Sequence, residues 1–101
     1  MKLRVFANPA GNLLVEISHP SLKSSVKWFL PMLPQATPAL RGIDPSRLVA
    51  VQLQGKSYEI PYLHIRTVGA VSAAGLKEIG QLEPEDSINV LNHIQDILAW
   101  D

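Results

Sequence analysis

Eight prolines are distributed along this chain of 101 residues, and their spacing limits what it can fold into. Proline lacks a backbone N–H and has a fixed φ, so it interrupts helix interiors and central strands alike. Turn-forming residues also cluster early in the chain, as in the segment Asn8-Pro9-Ala10-Gly11-Asn12. The spacing therefore favours one small domain, residues 1–101, built from short strands and turns rather than a helical bundle.

Apolar and polar residues alternate over several short segments, as expected for strands with one buried face. Leu13, Val15 and Ile17 share such a face in the second segment, which forms a predicted hairpin with the first. The predicted strands cover residues 3–7, 13–18, 26–33, 48–53, 58–60 and 62–71. Pro31 places part of the third strand at an edge or a bulge. Asp44 and Pro45 predict a capped turn in the long connection after it.

The last part of the chain has the pattern of an amphipathic helix. Pro84 suits the first helical turn, and the acidic residues around it favour the positive end of the helix dipole. Four apolar residues recur on one predicted buried face: Ile88, Leu91, Ile94 and Leu98. Residues 73–82 before the helix contain two glycines and are predicted to form a loop. The expected fold is α+β: five or six antiparallel strands in a small sheet or barrel, followed by a C-terminal helix.

Composition and charge narrow the function classes. Apolar residues make up 47% and charged residues 18% of the chain, which excludes a disordered chain and favours a dimer or partner surface. Cysteine is absent, which suits the cytoplasm, and no apolar run is long enough for a membrane span. Residues 1–77 carry nine Lys and Arg against three acids, whereas residues 78–101 carry six acids and no Lys or Arg.

Candidates for catalysis are few. Tyr62, His64 and Arg66 alternate along one predicted strand and would form a ribonuclease-like trio on one face. His19 and His93 have no partner at a diagnostic spacing and are expected at the surface. Motifs for a metal, a nucleotide or another cofactor are absent, so we expect none. Lys23 and Lys27 form too small a basic patch to predict nucleic-acid binding.

The order and spacing of several short pieces resemble the CcdB family, the toxins of plasmid toxin–antitoxin pairs. The matching pieces run nearly end to end: Val5-Phe6, Val15-Glu16-Ile17, Phe29-Leu30-Pro31-Met32, Leu48 to Val51 with Gly55 and Tyr58, and a helix containing Ile94 and Leu98 before a terminal aromatic residue. The resemblance implies a small SH3-like barrel with a C-terminal helix, a cytoplasmic homodimer formed through the sheets, and no catalytic site.

The resemblance also implies a target and a site. Toxins of this family bind the A subunit of DNA gyrase and trap its cleaved DNA complex, and a partly disordered antitoxin neutralises them. The gyrase-binding residues carried over onto this chain are Ser21, Leu22, Gln95, Leu98 and Trp100. Trp100 lies off the predicted buried face of the helix, and the chain ends Ala99-Trp100-Asp101 where the family has Trp-Gly-Ile. Two alternatives stay open: a MazF-like ribonuclease using Tyr62, His64 and Arg66, and an inactive member that only binds its antitoxin.

Overall fold

The computed structural model describes residues 2–18 and 26–98, which form seven β-strands and two α-helices. The strands are β1 (Arg4–Ala7), β2 (Leu13–Glu16), β3 (Val26–Pro34), β4 (Leu48–Leu53), β5 (Lys56–Pro61), β6 (Arg66–Gly69) and β7 (Lys77–Gln81). The helices are α1 (Ala70–Ala73) and α2 (Pro84–Leu98). No helix within the described residues is long and apolar enough to cross a bilayer.

All the strand pairings are antiparallel, and they form one curled sheet in the order β4-β5-β3-β2-β1-β7. Strand β6 lies off this path and pairs with the first half of β3, whereas β5 pairs with the end of β3. The predicted fold class, a small α+β barrel-like sheet with a C-terminal helix, is confirmed.

The core lies on the concave face of this sheet, where alternate residues of each strand meet. Val5 is opposite Val15, and Val15 is opposite Leu30, so one buried row crosses three strands. Val49 and Ile60 continue the core from the other half of the sheet. The face predicted for the second strand is correct, since Val15 and Ile17 are both buried.

Helix α2 covers one side of this core, but it is rotated relative to the sequence prediction. Ile94 is buried as expected, whereas Ile88 is 53% exposed. The fully buried positions are instead Ser87, Val90 and Ile94, while Leu91 is partly buried against the core, on the side predicted for it. Polar contacts cause the rotation: Ser87 bonds with the backbone around Leu3, and the Asp86 carboxylate accepts the Gln52 N–H at 3.0 Å.

The prediction of a loop over residues 73–82 is wrong, because this segment contains β7, which pairs with β1. Gly80 belongs to that strand for a packing reason. A Cβ atom there would lie 3.2 Å from Leu53 Cδ1, so the glycine lets the end of β4 approach β7 closely. The Gln54 side chain donates to the Ile79 carbonyl at 3.1 Å at the same place. These contacts bring the two ends of the sheet together.

Two other local predictions need correction. The strand predicted over 62–71 is shorter, because a turn in which the His64 N–H donates to the Pro61 carbonyl delays its start to Arg66. Pro31 occupies an interior strand rather than an edge. It lies between the stretch of β3 that pairs with β6 and the stretch that pairs with β5, so its missing N–H interrupts no pairing there.

Candidate protein-binding surface

The solvent-facing side of α2 carries the clearest candidate binding surface. Ile88, Asn92 and Gln95 follow one another at helical spacings of four and three residues, and all three are exposed. We call these three residues the outward stripe. Ile88 is one of two large apolar side chains exposed among the described residues, the other being Leu63. The stripe therefore presents one exposed isoleucine and, further along the helix, two amide side chains.

The helix that presents this stripe is fixed at its first turns by the rest of the fold. Pro84 begins the helix, and Glu85 and Asp86 lie in its first turn, where negative charge is favourable. Asp86 then bonds to the edge of β4 and Ser87 is fully buried. The outward stripe therefore begins on a helical turn that the rest of the fold holds in place.

The sequence-predicted gyrase-binding residues fall into two groups. Gln95 lies on the outward stripe, and Leu98 is the last residue of α2. Ser21, Leu22 and Trp100 lie outside the described residues, as does His19. The amphipathic pattern failed to identify Ile88 as a surface residue, because that pattern counts every apolar residue toward the buried face.

His93 is not a plain surface residue, because its ring packs from α2 against Tyr62 in the turn after β5. Its ring centroid lies 5.1 Å from that of Tyr62, with the rings tilted by 55°. The Nδ1 atom is 2.8 Å from the Asn89 carbonyl, which can only accept, so Nδ1 carries a hydrogen in this contact. The contact between the rings of His93 and Tyr62 joins α2 to the turn after β5, beside the outward stripe.

The structure does not support the alternation by which Tyr62, His64 and Arg66 were grouped as a ribonuclease-like trio. Residues 62 and 63 form a turn and β6 starts at Arg66, so Tyr62, His64 and Arg66 do not alternate along one strand. Tyr62 contacts His93 instead, while His64 and Arg66 are exposed. Within the described residues, no three His, Asp or Glu side chains converge as metal ligands would.

The convex face of the sheet carries a second apolar surface. Phe6, Leu14 and Pro31 lie side by side in the strand register, and all are half-buried. We call this row the outer sheet patch. Phe29 packs edge-to-face against Phe6 with centroids 5.8 Å apart and is only 2% exposed, although it faces away from the main core.

An ion-pair cluster borders the outer sheet patch. The Arg4 guanidinium bonds to the Glu16 carboxylate, lies 3.6 Å from Glu78 and stacks 5.3 Å from the Phe6 ring centroid. The bond to Glu16 raises the pKa of Arg4, and the charge of Glu78 adds to that shift despite partial burial. Because β1 lies between β2 and β7, Arg4 links residues of three adjacent strands.

The opposite charges of the two parts of the chain meet at a few contacts. Arg4 bonds to Glu78, and the Lys2 ammonium lies 4.0 Å from the Glu83 carboxylate. These pairs are exposed and contribute little stability each. They nevertheless join the basic first part of the chain to the acidic last part.

Comparison of the chain with family models, with curated proteins and with solved structures finds no match.

Proposed function

We propose that this protein is a non-enzymatic toxin of the CcdB type, which inhibits DNA gyrase in the cytoplasm by docking the outward stripe of α2 on the gyrase A subunit. The observation that carries the proposal is the exposure of Ile88 in the same stripe as Gln95. The resemblance of the sequence to the CcdB family implies that gyrase is the target. The same resemblance implies that Gln95 is one of the residues that contact gyrase.

The energetics favour such a use of Ile88. Complete burial of an exposed large aliphatic side chain is worth about 1.5–3 kcal/mol. Because Ile88 is 53% exposed, covering it would contribute about half of that, which is about a 4- to 15-fold change in affinity. Asn92 and Gln95 provide amide groups that hydrogen-bond at the rim of an interface. The stripe combines an apolar anchor with polar groups that give specificity.

The proposal includes a homodimer through the outer sheet patch. Phe6, Leu14 and Pro31 form a continuous half-exposed row across three strands, bordered by the Arg4 cluster. A two-fold interface is self-complementary, so a flat apolar row with charged rims suits a second copy of the same face. Because this patch lies on the sheet and the stripe lies on α2, a dimer leaves both stripes available. A cognate antitoxin would neutralise the protein by covering the stripe.

The direct test measures inhibition of DNA supercoiling by purified gyrase, together with the Kd for the A subunit. Ile88→Ala and Gln95→Ala are expected to weaken binding about tenfold each. Leu63→Ala and Gln81→Ala are the matched controls, since both side chains are exposed outside α2. Circular dichroism confirms that the variants stay folded.

Three outcomes distinguish the candidate functions. Inhibition that depends on Ile88 and Gln95 supports the gyrase proposal, whereas equal inhibition by all four variants contradicts the proposed site. Cleavage of RNA that disappears in Arg66→Ala supports the ribonuclease alternative instead. A protein that binds its antitoxin but neither inhibits gyrase nor cleaves RNA is the inactive member.

A further inference from the structure

The three strand edges that the described residues leave unpaired are not equivalent. At the edge of β4, the Asp86 carboxylate accepts the N–H of Gln52. At the edge of β7, the Gln54 amide donates to the carbonyl of Ile79. Side chains thus occupy edge groups of both strands, which is how native sheets avoid pairing with other chains. Strand β6 has no such contact within the described residues.

The register fixes which backbone groups of β6 face outward. Ile17 N–H donates to the Trp28 carbonyl, so the backbone of Trp28 points to β2. Alternation along β3 then directs Lys27 and Phe29 to β6, where they pair with Val68 and Arg66. Thr67 lies between Arg66 and Val68 in β6, so its backbone N–H and C=O groups point away from β3. The N–H of Gly69 points the same way, so two outward donors lie two residues apart.

Basic side chains lie on one sheet face at this open edge. Arg66 is the first residue of β6, and His64 lies just before it in the turn. Lys27 lies opposite Val68, on the same sheet face as Arg66. Glu16, across Phe29 from Arg66, is already bonded to Arg4. Arg66, Thr67 and Gly69 are all exposed.

We propose that the open edge of β6 binds an extended acidic segment of a partner protein, which adds to the sheet as a further strand. The backbone of the segment pairs with Thr67 and Gly69, and its carboxylates lie near Arg66 and Lys27. Backbone pairing supplies affinity with little dependence on sequence, and the charges select acidic partners. The inference does not depend on docking of gyrase, since it uses β6 and not the outward stripe of α2.

The test uses a fluorescent ten-residue peptide of alternating Glu and Val as the probe. A second probe has the same sequence with alternate backbone nitrogens methylated, so that it cannot form a strand ladder. A third carries Lys in place of Glu. Binding by fluorescence anisotropy is expected for the first probe, with the second and third at least about tenfold weaker. In amide NMR spectra, the first probe is expected to slow solvent exchange of the Thr67 and Gly69 N–H groups.

A pair of variants tests the backbone contribution. Thr67→Pro removes an outward N–H that β3 does not use, and an edge strand tolerates this change. Thr67→Pro is expected to weaken binding of the acidic probe about tenfold. Thr67→Val keeps the N–H and is expected to bind the probe like the original chain. If Thr67→Pro does not fold, Arg66→Glu is used in its place. It is expected to weaken binding of the acidic probe by a similar factor.

Four results overturn the proposal: no binding of the acidic probe at millimolar concentration, equal binding of the methylated probe, equal binding by Thr67→Pro, or displacement by a single-stranded oligonucleotide at lower concentration than by unlabelled acidic peptide. The last result assigns the basic edge to nucleic acid.

Discussion

The backbone N–H of Leu3 donates a 2.9 Å hydrogen bond to the hydroxyl of Ser87, which lies 84 positions further along the chain. The same hydroxyl donates to the Leu82 carbonyl at 3.3 Å, and the Leu82 N–H donates to the Leu3 carbonyl at 2.8 Å. These three bonds join the first strand to the start of α2. Because Ser87 is 0% exposed, they set which face of α2 is buried and leave Ile88 at the surface.

Ser87→Ala is expected to destabilise the protein by about 1–3 kcal/mol, because the buried Leu3 N–H loses its acceptor. The measurement is the free energy of unfolding from urea denaturation. Ser57→Ala, at an exposed position of β5, is the matched control and is expected to change stability by less than about 0.5 kcal/mol. Equal stability of the two variants contradicts this role for Ser87.

Gly80→Ala is expected to destabilise the protein by about 1 kcal/mol, because the new methyl group lies 3.2 Å from Leu53 Cδ1. The cost should be smaller in a Leu53→Ala background, where the crowding atom is absent. A double-mutant cycle measures this coupling, and additive effects of the two substitutions contradict the close approach of β4 and β7.

Asp44 begins the 3-10 turn Pro45–Arg47, and its carboxylate accepts from the Ser46 N–H at 2.9 Å. That backbone bond, with the Ser46 hydroxyl bond, lowers the pKa of Asp44 below its ordinary value. A lowered folded-state pKa means that the carboxylate stabilises the fold above its unfolded pKa. This contribution is lost as pH falls through the folded pKa.

The titration of Asp44 is followed through its carboxyl carbon by NMR. Ser46→Ala is expected to raise the pKa of Asp44 part of the way, since the hydroxyl donor disappears and the backbone donor remains. A pKa of Asp44 that is not lowered in the original chain, or that is unchanged by Ser46→Ala, contradicts the assigned cause.

Leu14→Asp is expected to dissociate the proposed dimer, because it places a charge in the middle of the outer sheet patch, where desolvation is costly. Analytical ultracentrifugation should show a dimer dissociation constant raised about a hundredfold or more. Leu63→Asp, at an exposed leucine in the turn after β5, is the control and is expected to remain dimeric. Dissociation by both variants, or by neither, argues against the patch as the interface.

Local patterns predicted the parts of the fold that local interactions determine. The β1–β2 hairpin follows from alternation and its turn residues, and the Asp44 cap follows from the Asp-Pro order. The pattern does not predict strand β7, because Gly80 is a poor strand former. The strand forms by pairing with β1, and the close contact of Gly80 with Leu53 gives the glycine a packing role there. That contact joins residues far apart in sequence, so no local pattern contains it.

The candidate site was predictable only in part, for a similar reason. The Pro84 signal located the start of α2, but the choice of buried face depends on Ser87 meeting Leu3. A helical pattern with Ile88, Leu91 and Ile94 on one side gives no indication that a serine takes the central buried position. His93 and Tyr62 are also far apart in sequence, so no local pattern predicts their contact.

The measurement that tests the central claim most directly is an amide hydrogen-exchange map of this protein with and without the gyrase A subunit. The account predicts slowed exchange in the part of α2 that carries Ile88, Asn92 and Gln95, with little change in β4 and β5. Binding that leaves α2 exchange unchanged and protects another surface, or no binding at all, contradicts it.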